Sequence, residues 1–155
     1  MNELRIVRLV RGAMLAAVYA ALTVSLAPIS YGALQFRVAE ALTVLPWLYP
    51  EAVPGLFVGC LIANLFGGNG ALDVVFGSLA TLAAAMLSRR MKPVWLAPLP
   101  PVLINAFVIG AVLSYVLGLP FLLTAAEVGL GQVGACYGLG MPLLLLIKRT
   151  GDRRR

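Results

Sequence analysis

The sequence predicts an all-α integral membrane protein, a bundle of six transmembrane helices forming one membrane-embedded domain over residues 1–155. Three observations carry that reading. Of the 155 residues, 61% are hydrophobic and 12% charged, with a mean hydropathy of +0.97, which is not the composition of a soluble globule. Apolar runs recur along the chain, and roughly 17–25 such residues span a bilayer. The cations fall in groups at alternate ends of these runs: Arg5, Arg8 and Arg11 before the first, Arg89, Arg90 and Lys92 in one loop, and Lys148, Arg149, Arg153, Arg154 and Arg155 in the basic tail 148–155. Such clusters mark cytoplasmic loops, so both termini are expected inside. A nucleic-acid surface would gather the +6 net charge on one face with exposed aromatics, so no nucleic-acid partner is expected; the partner is the lipid bilayer.

The first span covers about residues 6–27. Its basic start also describes a signal peptide, but no small-residue cleavage site follows in polar sequence, so it reads as a retained span. Two series of small residues, Gly12, Ala16 and Ala20, and Ala13, Ala17 and Ala21, repeat every four positions. Each lies on one helix face, where it lets another helix approach closely in lipid. Pro28 ends the span, and residues 28–36 read as an outer loop. Arg37 and Glu40 follow as an i,i+3 pair at a helical start, either a self-satisfied ion pair or groups facing a ligand.

Spans two and three, about 38–48 and 53–66, are short, and Pro54 suits a first helical turn; with no cation between them, the pair either crosses twice or re-enters from one side, and both options leave the later orientation unchanged. The stretch 60–80 is the pivot of the chain: Asn64 closes one apolar run, Asp73 opens the next, and Gly67, Gly68, Asn69 and Gly70 between them accept positive φ. Two readings of Asp73 stand: a cap for the following helix, or, with Asn64, the mouth of a polar pocket. Span four covers about 72–87, and span five about 94–117, with Pro98, Pro100 and Pro101 loosening its first turns. Span six, about 125–147, carries Glu127 and Gln132 and is thinned by glycines. Cys60 and Cys136 read as buried structural thiols; with no His in the chain, no metal site, cofactor or catalytic dyad is expected.

Six crossings put Arg37, Glu40, Asn64, Asp73, Glu127 and Gln132 in the outer half and Asn105 nearer mid-depth. Ionisable groups in a membrane generally face an interior cavity, so these seven are the candidate substrate-binding residues. A one-sided cavity suggests capture of a solute from outside.

The stretch Gln35, Phe36, Arg37, Val38, Ala39, Glu40, the stretch 60–68 with Leu72 and Asp73, the run Phe76, Gly77, Ser78, Leu79, Ala80, Thr81 and the stretch 127–132 resemble the queuosine precursor transporter family (QueT). These are S components of energy-coupling factor (ECF) transporters, ABC-type importers of the bacterial plasma membrane. The resemblance covers nearly the whole chain. It implies an S-component-like bundle with an outward site and docking through the small residues of the first helix onto a transmembrane T component coupled to two ATPases. It also implies a 7-deazaguanine ligand: queuine, or its aminomethyl or cyano precursor. A carboxylate can accept both the N1–H and the 2-amino donors of such a base, and Glu127 is the first candidate. Gln132 or Asn105 can both donate and accept, Phe36, Tyr31, Phe66 or Tyr137 can stack, and Asp73 or Glu40 can meet an aminomethyl cation.

The competing readings are an S component for another vitamin-like solute, a small autonomous transporter, and a membrane enzyme. The last is disfavoured by the missing catalytic groups, and the chain lacks a phosphate-binding GxxxxGK[ST] loop, so any ATP use falls to partners.

Overall fold

The computed structural model describes residues 3–32, 35–67 and 70–152; the expectations placed on Gly68, Asn69, Arg153, Arg154 and Arg155 lie outside them. Every regular element among the described residues is helical. Helix α1 is Glu3–Ser25, α2 Ala27–Ser30, α3 Ala52–Phe66, α4 Ser78–Arg90, α5 Leu99–Leu117, α6 Phe121–Val133 and α7 Met141–Asp152. A 3-10 helix occupies Val38–Trp47, and π-helical stretches at Asp73–Gly77 and Gly134–Gly140 lead into α4 and α7. Three runs, Glu3–Ser25, Val94–Leu117 and Phe121–Thr150, are long and apolar enough to cross a membrane, while Val38–Trp47 and Ala52–Phe66 are apolar but shorter.

Local sequence explains the breaks. Pro28 sits in the first turn of α2, after α1 has ended at Ser25. Pro100 and Pro101 lie in the first turn of α5, where the missing N–H groups have no intrahelical acceptor to lose. They therefore start the helix rather than loosen it. Gly118, at φ +67°, closes α5 in the left-handed conformation that glycine takes without a Cβ penalty.

The helical runs alternate in direction between two ends of the bundle. Helices α1 and α3 run parallel, since the backbone of Gly12 backs onto Gly55 and that of Ala16 onto Gly59. A Cβ at Gly59 would stand 2.7 Å from the Ala16 carbonyl oxygen, so the glycine is what allows this approach. Helix α3 and the Asp73–Arg90 run are antiparallel, with Asn64 beside Asp73 and Cys60 beside Thr81. Helices α5 and α6 fold back about Gly118, with Gly110 against Ala125 and Gly129 against Ala106.

The 3-10 helix is the inner strut. All residues from Ala39 to Pro46 are buried. A 3-10 helix rises about 2.0 Å per residue against 1.5 Å for an α-helix, so a short segment reaches from one end of the bundle to the other. It runs parallel to the Gly134–Gly140 stretch: Phe36 lies against Gly134, the Glu40 carbonyl meets Cys136, and Gly140 backs onto Ala41.

The basic groups meet at one end. Arg11 pairs with Glu51 at 2.6 Å and lies over the Tyr49 ring. Trp47 Nε1 donates to the Met91 carbonyl at 2.8 Å, and Lys148 lies over the same indole. Arg37 stands at the other end, beside the last turn of α3. The solvent preference is inverted relative to a soluble protein: Arg37 and Glu40 are 3% and 1% exposed, while Leu9 and Leu122 are 68% and 80% exposed. Water would reject that surface; hydrocarbon accepts it.

Candidate functional site

The site is built from the residues at the end of the bundle away from the basic groups. Arg37 leaves an extended backbone at φ −85°, ψ 103° just before the 3-10 helix. Its guanidinium donates to Asp73 Oδ2 at 3.0 Å, to Asn64 Oδ1 at 3.0 Å and to the Ser30 carbonyl at 3.3 Å. Asn64 Nδ2 closes the group by donating to the Asp73 carbonyl at 3.0 Å. Gly77 makes room for it, since a Cβ there would stand 2.6 Å from Asp73 Oδ1. One fork of donors thus ties the ends of α2 and α3 to the π-helical start of the α4 run, in the planar geometry that guanidinium groups favour.

This arrangement corrects two expectations. The i,i+3 pair of Arg37 with Glu40 does not form, because Arg37 is extended and precedes the helix, so helical spacing does not bring the two side chains together. Asp73 does not act as a simple helix cap: its residue lies inside a helical run and its carboxylate binds Arg37 across 36 positions of sequence.

Glu40 instead anchors a second buried group. Tyr19 Oη donates to Glu40 Oε1, and Asn105 Nδ2 donates to Oε2 at 3.3 Å. Thr43 Oγ1 and Cys136 Sγ both donate to the Glu40 carbonyl, and Cys136 also approaches Gln132 Oε1 at 3.6 Å. The carboxylate joins the 3-10 helix to α1 and α5, and the carbonyl of the same residue meets Cys136 of the Gly134–Gly140 stretch, which reaches Gln132 on α6. Cys60 and Cys136 are buried free thiols inside these groups.

Of the seven candidate binding residues, the structure therefore brings Arg37, Asn64 and Asp73 into one cluster and Glu40, Asn105 and Gln132 into another. Glu127 stands apart. It is half-buried on α6, and no hydrogen bond or ion pair engages it among the described residues. It lies seven positions before Gly134, two helical turns along the same face, about 10 Å away. The Phe36 ring covers Gly134, where a Cβ would stand 2.7 Å from its edge. An open carboxylate and an aromatic ring thus share one side of α6. Of the other aromatic candidates, Tyr31 is engaged: its hydroxyl donates to the Ala63 carbonyl at 2.6 Å, and Arg37 lies over its ring. Phe66, the last residue of α3, is 75% exposed.

Tyr19 and Gln35 were not among the candidates. Tyr19 reads as one more apolar residue of α1, and only the fold places its hydroxyl at Glu40. Gln35 reads as an outer-loop residue, yet it is 2% exposed. The one signal for it was its place in the stretch Gln35–Glu40.

The two small-residue series of α1 also separate. Gly12 and Ala16 are buried against α3, and Ala20 is half-buried, whereas Ala13, Ala17 and Ala21 are exposed.

Ionisable groups gathered inside a lipid-facing helical bundle, with an open carboxylate near one end, define a helical membrane protein of the solute-handling kind. Residues 9–149 match the QueT transporter family. A queuosine precursor transporter QueT of Lactococcus lactis subsp. cremoris (strain MG1363) is 31% identical over 141 residues, covering 81% of this chain and 83% of that protein. The chain belongs to the QueT transporter family. No solved structure matches it.

Proposed function

We propose that the protein is the substrate-binding S component of an ECF-type importer in a bacterial plasma membrane, and that it captures a queuosine precursor, a 7-deazaguanine base, from outside. The observation that carries the reading, within this family, is the open Glu127 carboxylate on α6, two helical turns before the Gly134 that the Phe36 ring covers. A carboxylate accepts the two adjacent N–H donors of a guanine edge, and a ring face takes the bicycle. The 7-substituent that suits this site is a neutral one. Asp73 is held by Arg37, and both oxygens of Glu40 accept hydrogen bonds, so an aminomethyl cation would compete with existing partners for either carboxylate.

The orientation follows from charge: the end bearing Arg11, Arg89, Arg90 and Lys148 faces the cytoplasm, with both termini, and the Arg37 end faces out. The alternating direction of the helical runs supports six crossings. A cysteine replacing the exposed Arg90 should resist a membrane-impermeant label in intact cells; labelling from outside would reverse the orientation and put Glu127 on the wrong side.

The energy for transport comes from partners, a T component and two ATPases. Of the two α1 series, Ala13, Ala17 and Ala21 form the proposed docking face, because Gly12 and Ala16 already pack on α3. Ala17→Leu is therefore expected to abolish uptake in cells that carry the partners, yet leave the purified protein's affinity for its ligand within twofold, since only close helix approach is lost. A parallel loss of binding would move Ala17 from the docking face to the fold. The reading as a whole is tested by mass spectrometry of the solute that co-purifies with the protein: a 7-deazaguanine supports it, and another vitamin-like compound replaces it.

A further inference from the structure

We infer that Gln35 reads the carbonyl oxygen of the bound base, so that the site selects 6-oxo over 6-amino bicyclic bases; the inference rests on the functional reading above and names the residue that sets its specificity. The Gln35 side chain is 2% exposed, and its Nε2 has no hydrogen-bond partner among the described residues. Its backbone, by contrast, is fixed. The Gln35 N–H donates to the Gly32 carbonyl at 3.0 Å, and the Gln35 carbonyl accepts from the Arg37 N–H at 2.8 Å. At φ +44° it is the one non-glycine residue with positive φ among those described, a conformation in which a side chain bears strain. An orphaned buried donor and a strained backbone at one residue both work against stability, and a ligand acceptor would repay the first of them.

The register places Gln35 along the bundle. Phe36 lies against Gly134 and the chain from there runs parallel to the Gly134–Gly140 stretch. The residue before Phe36 is therefore displaced along α6 toward its start, the side on which Glu127 lies. A guanine-type edge presents one carbonyl acceptor next to two N–H donors. Glu127 supplies the acceptor for the donors, and Gln35 Nε2 supplies the donor for the carbonyl. An adenine-type edge places an amino group where the carbonyl was, so N–H faces N–H, and sites that hydrogen-bond a group discriminate strongly against its absence.

The test uses the full chain in detergent micelles, titrated by calorimetry with 7-deazaguanine and 7-deazaadenine, with thermal unfolding measured alongside. Wild type should prefer 7-deazaguanine by at least about tenfold, and both Gln35→Gly and Gln35→Met should lower its affinity for that base by about tenfold. The unfolding midpoint of Gln35→Gly should hold or rise, because glycine accepts the positive φ and removes the orphaned donor. A merely structural Gln35 would lose affinity and midpoint together in both variants, and that result overturns the inference. So does an affinity unchanged within twofold while wild type binds well, which leaves the functional reading standing. If wild type binds neither base nor 7-cyano-7-deazaguanine, the functional reading fails and this inference falls with it.

Discussion

Arg37→Met is expected to destabilise the folded protein by about 3–5 kcal/mol, the usual consequence of removing one partner from a buried ion pair. Three acceptors lose their donor at once: Asp73 Oδ2, Asn64 Oδ1 and the Ser30 carbonyl. The Asp73 carboxylate, 2% exposed, would then lose the guanidinium that offsets it in the interior. The double variant Arg37→Met with Asp73→Leu removes both charges and should recover much of the loss, because hydrophobic residues of similar volume often replace buried pairs at little cost. Unfolding in mixed micelles with increasing denaturing detergent, followed by circular dichroism, gives both numbers and their coupling. A single variant as stable as wild type would mean that the pair does not hold this end of the bundle. Asp73→Asn falls under the same expectation: an asparagine caps a helix about as well as an aspartate, so a marked loss of stability separates ion pairing from capping.

Glu127→Gln should do the reverse. No hydrogen bond or ion pair holds Glu127 among the described residues, so the unfolding transition should not move. Ligand affinity should fall by about one to two decades, because hydrogen bonds to a charged group contribute roughly 1.5–3 kcal/mol and the amide presents an N–H to a ligand donor. Calorimetry with 7-cyano-7-deazaguanine reads the change directly. Unchanged affinity would remove Glu127 from the site and leave Gln132 and Asn105 as the remaining candidates on α6 and α5. Together the two experiments separate what holds the Arg37 end of the bundle in shape from what meets the ligand.

The difference between these residues was not visible along the chain. Arg37, Glu40, Asn64, Asp73, Asn105, Glu127 and Gln132 all read as polar interruptions of apolar runs, and that was enough to gather them as candidates. Nothing local ranks them. Glu127 differs from Asp73 only because no cation is folded onto it. Likewise Gly12 and Ala13 begin two equally regular series, and it is the parallel packing of α1 on α3 that turns one inward and leaves the other exposed.

By itself the sequence determined the membrane class, the approximate places of the helical runs, the grouping of the cations and the family. Hydropathy, prolines, glycines and charge clusters act through local sums over a few turns, so neighbours in sequence suffice to read them. The tertiary structure alone decided partners. Arg37 chose Asp73 rather than Glu40, three residues away, because its extended backbone and the hairpin after α3 bring a residue 36 positions distant within 3.0 Å. Glu40 turned to Tyr19 and Asn105 on two other helices. Val38–Trp47, apolar enough to pass for a lipid-facing span, became the buried strut as a 3-10 helix. Each of these outcomes depends on contacts between elements far apart in the chain, where the low dielectric of the interior makes an unpaired charge or N–H costly.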